Sequence, residues 1–338
     1  MYKVAVAGAT GAVGREMIRI LEERDFPISE LVLLASERSR GKKLSFQGRD
    51  IEVEVLADRS FEDIDIALFS AGSSIVKEHA GRIIEDGAVI VDNSSAFRYE
   101  PEIPLVVPEV NPGALDSHEG LVANPNCSTI QLVMVLAPIH EKYGIKRIVV
   151  STYQAASGAG GSGRQELFEH TRLLTNGESI PAPKEFTREL AFNAIPQIDV
   201  FLEEDNNYTK EEMKMVWETR KILDDQIIEV SPTAVRIPVL NCHGEAVNIE
   251  THSGCAPEEV RRLLAGSPGV KVVDNPAEGE FPTMLDADGT DDTYVGRIRR
   301  DPSLKHGLNC WIVADNLRKG AALNTIQIAE TLIARELV

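Results

Sequence analysis

The stretch Asn124-Pro125-Asn126-Cys127-Ser128-Thr129 joins an apolar pair, Leu121 and Val122, to a run in which Ile130, Val133, Met134 and Ala137 recur at helical spacing. Asn-Pro-Asn is a turn-and-cap signal, so Cys127 falls at or beside a helix N-terminus. There the unpaired N–H groups and the positive end of the helix dipole stabilise a thiolate, the nucleophilic form of cysteine. Asn126 offers a side-chain N–H to an oxyanion forming one bond away. The competing reading is a buried cysteine behind an ordinary Asn cap.

Other chemistry-bearing residues lie in the second half. Gln154 ends a strand pattern over 145–154, placed to hydrogen-bond a substrate carbonyl or hydroxyl, and Gly158, Gly160, Gly161 and Gly163 follow closely. So many glycines let a backbone lie against a flat ligand; a flexible linker is the alternative. Arg236 stands inside the apolar run Val235-Arg236-Ile237-Pro238-Val239 of a strand expected over 230–240. A buried arginine is costly unless paired, so a carboxylate ligand suits it. His243, at a turn before Gly244, can act as a base, or is a surface-loop histidine. In one regular strand Arg236 and His243 would point to opposite faces, so their convergence needs a bulge or the turn itself. Glu218 and Lys221 share a face of a polar helix over 208–223, where a solvated ion pair is the default. Arg98 is the basic residue of a loop after the strand 88–91, with a surface salt bridge as its alternative. Cys255, three residues after His252, is a rival nucleophile without a nearby oxyanion donor.

These groups need elements to hold them, and the N-terminus supplies the first. The apolar run 3–7 leads into Gly8-Ala9-Thr10-Gly11-Ala12-Val13-Gly14, and Val13, Met17, Ile20 and Leu21 open a helix. Strand, glycine turn and helix form a dinucleotide-binding pattern: Gly8 turns the chain, Gly11 admits a pyrophosphate, Gly14 packs helix on strand. A glycine turn without a ligand is the alternative. The next strand, 31–35, ends in Ser36-Glu37-Arg38-Ser39-Arg40. Arg38 with the hydroxyls of Ser36 and Ser39 suits a 2′-phosphate and favours NADP, while Glu37 leaves dual specificity open. The strand 64–69 ends in Ser70-Ala71-Gly72-Ser73-Ser74, another loop at the carboxyl edge of a parallel sheet, where ligands bind in such folds.

Bulk properties bound the answer. The 338 residues suit two domains, and a net charge of −18 argues against nucleic-acid or anionic-membrane surfaces. The scattered cysteines 127, 242, 255 and 310 form no metal-ligand spacing and suggest a reducing compartment. No leader pattern or membrane-length apolar run is seen, so a cytoplasmic protein is expected. The C-terminal helix pattern Leu323, Ile326, Ala329, Ile333 is expected to return to the first domain.

Taken in order, GATGAVG at 8–14, NPNCST at 124–129, QAASGAGG at 154–161, RIPVLNCHGE at 236–245 and ADNLRKGAALN at 314–324 resemble the aspartate-β-semialdehyde dehydrogenase family over essentially the whole chain. The resemblance implies an α/β fold: a Rossmann-type domain, 1–127 with 317–338, and a mixed α/β catalytic and dimerisation domain of the glyceraldehyde-3-phosphate dehydrogenase type, 128–316. It implies interconversion of L-aspartyl 4-phosphate and L-aspartate 4-semialdehyde with NADP and phosphate, through a thioester on Cys127, by a homodimer. His243 takes the role of general acid/base, Gln154 orients the thioacyl group, and Asn126 serves an oxyanion or phosphate. Arg236 clamps the substrate carboxylate, Glu218 the ammonium, and Arg98 and Lys221 the phosphate, with Ser157 at the same subsite. Gly8, Thr10, Gly11, Ala12, Val13, Ser36, Arg38, Ser39, Ala71, Gly72, Ser157, Gly158 and Asn316 match cofactor positions, and no metal is implied. The compact region 177–210 resembles the Gram-positive branch.

N-acetyl-γ-glutamyl-phosphate reductase shares the scaffold, but its acetylated substrate gives Glu218 no purpose. A short-chain dehydrogenase needs Tyr-x-x-x-Lys, which no tyrosine of this chain provides. A non-catalytic NADP-binding paralogue would not be expected to keep Cys127, Arg236 and His243 together.

Overall fold

The computed structural model describes all 338 residues, Met1–Val338. It divides the chain into a first unit, Met1–Pro125 with Ala321–Val338, and a second, Asn126–Gly320. This assigns Asn126, Cys127 and residues 317–320 to the second unit, not the first as the motif boundaries suggest.

Short apolar runs build the first unit: β1 (Tyr2–Ala7), α1 (Ala12–Glu23), β2 (Ile28–Ala35), β3 (Lys43–Phe46), β4 (Arg49–Val55), β5 (Ile66–Phe69), α2 (Ser73–Glu85), β6 (Val89–Asp92) and β7 (Leu121–Ala123). The hairpin β3–β4 alternates inward apolar residues (Leu44, Phe46; Ile51, Val53, Val55) with outward polar ones. The strands lie in the order β3-β4-β2-β1-β5-β6-β7, all parallel apart from that hairpin. Because the chain turns one way from β1 to β2 and the other way to β5, the carboxyl end of β1 is a switch point, where such sheets hold ligands. Alternation along β1 feeds two cores. Val4 and Val6 pack with Met17 and Leu21 of α1, while Ala5 and Ala7 face Val76 and Ile83 of α2.

The second unit contains α3 (Cys127–Tyr143), β8 (Ile145–Gln154), α4 (Gly160–Thr175), β9 (Phe201–Leu202), β10 (Tyr208–Thr209), α5 (Lys210–Ile222), β11 (Glu229–Arg236), β12 (His243–Thr251), α6 (Pro257–Ala265), β13 (Val270–Val272), α7 (Met284–Ala287), β14 (Thr293–Asp301) and β15 (Gly307–Ala314). Its six-stranded mixed sheet runs β11-β8-β12-β15-β14-β13. One face, with Ile148, Val150, Val247, Ile249 and Ile312, packs on Leu132 and Leu136 of α3, Met215 of α5 and Val260 of α6. The other face carries Tyr153, 37% exposed, with its ring 5.4 Å from that of Trp311. The chain then returns to the first unit as α8 (Leu323–Ala334), whose Leu323, Ile326 and Ala329 join the core around Val4, as its apolar spacing leads one to expect.

One alternative falls away and one boundary changes. The glycine run after Gln154 is not a linker: residues 156–159 make a 3-10 turn, and Gly160, Gly161 and Gly163 start α4. The strand expected over 230–240 stops at Arg236, and a new strand begins at His243.

One acid lies deep in the second core. Glu245 of β12 is fully buried, neither carboxyl oxygen has a hydrogen-bond partner, and burial raises its pKa well above the carboxylate range against the opposing effect of Gln131 on α3. Folding therefore favours the protonated acid, a contribution present in full below the unfolded pKa of about 4.3 and lost as pH rises toward the folded one. Glu245→Gln should match the wild type in Tm below pH 4 and exceed it increasingly above, the gap growing by about 1.4 kcal/mol per pH unit until the folded pKa is reached. A gap independent of pH in thermal denaturation would contradict this.

Candidate active site

Three strand ends assemble one row of side chains. Arg236 pairs in register with Gln154 in the parallel β11–β8 ladder, and Gly244 pairs with Tyr153 in the antiparallel β8–β12 ladder. Continuing that second register sets His243 opposite Gln154. Arg236, Gln154 and His243 therefore share one face across three adjacent strands, because residues level across a sheet point the same way. Arg236 and His243 sit on different strands flanking β8, so the odd spacing between them imposes no opposition of faces. The segment between them reverses at Cys242, whose φ of 69° is left-handed. Its N–H donates to Asn316 Oδ1 at 2.9 Å, and Ser157 Oγ donates to the same oxygen at 2.9 Å.

His243 is fully buried. The Ala155 backbone N–H donates to its Nδ1 at 3.1 Å, so the proton of the neutral ring belongs on Nε2, and Nε2 has no hydrogen-bond partner. Burial, with the nearby Arg236 charge, lowers the imidazole pKa to about 3, so the ring is neutral near pH 7. Arg236 is itself buried, donates Nη1 to the Ala155 carbonyl at 2.6 Å, lies 6.0 Å over the Phe186 ring, and makes no ion pair with a carboxylate. Burial, opposed by Glu211 and Cys127, lowers its pKa. A buried guanidinium without an acidic partner is a receptor for a carboxylate.

Cys127 is the first residue of α3, half-buried, with Asn126 as N-cap. Asn126 Oδ1 accepts from the Ser128 N–H at 3.0 Å. Its own backbone N–H donates to Glu218 Oε2 at 2.6 Å, and its Nδ2 donates to Glu211 Oε1 at 3.1 Å. Gln154 Nε2 donates to the same Glu211 oxygen at 3.1 Å, while Gln154 Oε1 accepts from Thr152 Oγ1 at 3.0 Å. Lys214 pairs with the other oxygen of Glu211 at 2.8 Å. Burial alone would raise the Glu211 pKa, but Lys214 and the two amides overcome it and hold the acid at about 2. Glu218 is fully buried against Asn126, so it belongs to no solvated surface pair, whereas Lys221 is half-buried on the same helix.

Two glycines admit this packing. A Cβ on Gly158 would stand 2.5 Å from Arg236 Nη1 and 3.4 Å from His243 Nε2. A Cβ on Gly320, in the π-helical turn 318–322, would stand 2.8 Å from that of Cys127. The second unit thus brings together Asn126, Cys127, Gln154, Gly158, Glu218, Arg236 and His243, with Ser157 and Asn316 supporting the 242 turn. Cys255 lies beyond the far end of β12, about 25 Å along the strand from His243 at ~3.3 Å per residue.

In the first unit a cavity of about 600 Å³ opens at the switch point, lined by Gly8, Thr10, Gly11, Ser36, Arg38, Ala71 and Gly72 among others. A Cβ on Gly14 would collide with the Gly8 carbonyl, so the helix–strand approach requires glycine there. Ser39 is buried, its hydroxyl 3.4 Å from that of Thr10. Ala12 and Val13 open α1 beside the turn. Glu37 is held by Arg40 through two bonds of 2.8 Å, and Asp58 caps the same guanidinium at 2.7 Å. Arg98, buried in this unit, donates to the Asn93 carbonyl at 3.0 Å. Glu211 and Lys214 escaped the sequence reading because a Glu/Lys-rich helix resembles a solvated one. The capping box Thr209–Glu212 at its start was the readable signal that the helix end is fixed.

A dinucleotide-type fold in the first unit and a cysteine–histidine–arginine cluster in the second together define a dehydrogenase class. Two family profiles match: "Semialdehyde dehydrogenase, NAD binding domain" over residues 3–118 and "Semialdehyde dehydrogenase, dimerisation domain" over residues 136–319. An aspartate-semialdehyde dehydrogenase of Aquifex aeolicus is 53% identical over 100% of this chain and 99% of its own. The crystal structure of aspartate semialdehyde dehydrogenase II from Vibrio cholerae complexed with ASA superposes with a TM-score of 0.96 at 48% identity, covering 99% and 98% of the two chains. The Candida albicans aspartate semialdehyde dehydrogenase with NADP does so with a TM-score of 0.78 at 26% identity over 100% of both chains. The chain belongs to the aspartate-semialdehyde dehydrogenase family.

The glycine approach yields a test. Gly158→Ala should leave Tm within a few degrees of wild type yet lower kcat/KM about 100-fold, because Arg236 and His243 must both move. Unchanged steady-state kinetics would show that the packing at this residue is dispensable.

Proposed function

We propose that this chain catalyses the reversible, NADP-dependent reductive dephosphorylation of L-aspartyl 4-phosphate to L-aspartate 4-semialdehyde, on the route to lysine, threonine and methionine. The observation that carries the reading is the buried Arg236, lacking an acidic partner and adjoining the unpartnered Nε2 of His243. A substrate α-carboxylate is the counter-ion it lacks, and a two-bond clamp also fixes orientation. Glu218 takes the substrate ammonium, and Arg98, Lys221 and Ser157 the phosphate. The acetylated-substrate alternative is disfavoured because such a substrate brings no ammonium for Glu218 to take.

In the biosynthetic direction Cys127 Sγ attacks the acyl carbon. The C–S bond forms, the C–O bond to phosphate breaks, and phosphate leaves with the bonding pair. The α3 N-terminus favours negative charge at sulfur beforehand. Asn126 and Gln154 direct amide N–H groups to the developing oxyanion. The nicotinamide, when bound, supplies hydride to the thioester carbon. His243 Nε2–H donates a hydrogen bond to the resulting alkoxide. When the aldehyde carbonyl forms from that oxyanion, the C–S bond breaks and sulfur leaves as the thiolate. In this tautomer His243 serves the biosynthetic direction as a hydrogen-bond donor to oxygen without losing its proton.

The cofactor preference rests on the cavity mouth. Arg38 and Ser36 line it, with Ser39 behind, while Glu37, which also lines it, is paired with Arg40. Ala12, Val13, Gly158 and Asn316 complete the proposed cofactor set. We assign no metal to the reaction, since these side chains account for the charge and proton movements. A homodimer is favoured by the matched dimerisation domain and by the partly exposed Tyr153 ring on the sheet face away from α3. The compact 177–210 region supports the Gram-positive-like branch. No helix is long and apolar enough to cross a membrane, and the four free cysteines fit a reducing, cytoplasmic setting.

Phosphate-dependent reduction of NADP with L-aspartate 4-semialdehyde is the direct assay. Activity should require phosphate, vanish in Cys127→Ala, and fall about 100-fold in kcat/KM in Arg236→Lys, which loses the planar fork. Turnover retained by Cys127→Ala would refute the mechanism. Arg38→Ala should raise the NADP dissociation constant about 10- to 100-fold while leaving NAD binding within about twofold. Equal losses for both cofactors in a binding titration would argue against a 2′-phosphate contact.

A further inference from the structure

We propose that Glu211 is the positioning residue that sets the orientation of both amide groups beside Cys127. The inference rests on the reading above that Asn126 and Gln154 face the reacting carbon. A single carboxylate oxygen, Oε1, accepts one N–H from Asn126 and one from Gln154, each at 3.1 Å. A terminal amide has an oxygen end and a nitrogen end, and nothing in its own shape selects between them. The carboxylate accepts only, so it forces both nitrogens inward. The oxygens follow: that of Asn126 caps Ser128, and that of Gln154 takes the Thr152 hydroxyl. Each nitrogen retains a second hydrogen for an oxyanion, and its bond to a carboxylate is charge-assisted and directional. A flipped amide would instead present a carbonyl to the developing negative charge.

The charge balance around Glu211 supports an anion held for this purpose. Lys214, on the same helix, occupies the other oxygen at 2.8 Å and reaches Asp199 at 3.2 Å. Arg236 of β11 and His243 of β12 feel the Glu211 charge, and the buried Glu218 of the same helix binds the backbone N–H of the same Asn126. Glu211 also lies outside the cofactor cavity.

The test is Glu211→Gln. A glutamine can turn its oxygen to the two amides only by turning its NH₂ against the Lys214 ammonium, so one side of the arrangement fails. We expect kcat to fall about 10- to 100-fold, with KM for L-aspartate 4-semialdehyde within about threefold, since Arg236 is untouched. In an Asn126→Ala/Gln154→Ala background the same substitution should cost less than about threefold, because the groups it positions are gone. A purely structural role would cost the same in both backgrounds and would overturn the proposal. Should Glu211→Gln fail to fold, Lys214→Gln carries the test. Without the lysine, burial raises the Glu211 pKa, so kcat should acquire a loss toward low pH absent from the wild type; superimposable pH profiles would overturn the proposal. Asn126→Ala and Gln154→Ala separate the two levels. If they keep wild-type kcat, the reading of the site fails; if they lower it while Glu211→Gln does not, the positioning role alone fails.

Discussion

The register of three strands at residue 154 is the constraint from which the active site follows. β8 runs parallel to β11 and antiparallel to β12, and the alignment brings Arg236, Gln154 and His243 level on one face. Slipping either ladder by one residue would turn Arg236 or His243 to the opposite face. The apolar packing of Ile148, Val150, Val247 and Ile249 fixes that register, so the hydrophobic core and the chemistry share one cause. The same alignment buries a guanidinium without its own acid, an arrangement that destabilises the free protein and favours a carboxylate ligand.

Charge is distributed with economy across this row. Glu211 is an anion neutralised by Lys214, His243 is neutral, burial drives Glu245, two residues further along β12, toward its protonated form, and Arg236 is left as the buried cation. Each state has an environmental cause: two are pushed toward neutrality because burial penalises charge, and one is charged because an ion pair and two amides outweigh that penalty. Space is managed as closely as charge. Gly158 and Gly320 stand where any side chain would displace Arg236, His243 or Cys127. The glycines that in sequence suggested a backbone lying close against a ligand are a close-packing position, Gly158, and the start of a helix.

Much of this was legible in the sequence, for identifiable reasons. The apolar runs of β1, β5, β6 and β8 are continuous, and the glycine turn and the Asn-Pro-Asn cap are local signals, so Cys127 at a helix start followed from neighbouring residues alone. The convergence of Arg236 and His243 did not, because it depends on which strand lies between them, and pairing is non-local. Glu211 and Lys214 were hidden for a related reason: burial of a polar helix is decided by what packs on it, not by its own periodicity. The hairpin of β3 and β4 was missed although its signal was legible: Leu44-Ser45-Phe46 and Ile51-Glu52-Val53-Glu54-Val55 alternate apolar and polar around Gln47-Gly48.

The central claim is that the sulfur at position 127 carries the acyl group between the two half-reactions. Intact and peptide mass spectrometry of the enzyme mixed with L-aspartate 4-semialdehyde and NADP, without phosphate, tests it most directly. The account predicts one aspartyl adduct per chain, mapped to Cys127 and discharged when phosphate is added. An adduct on Cys242, Cys255 or Cys310, or reduction of NADP with no acylated cysteine at all, would contradict it.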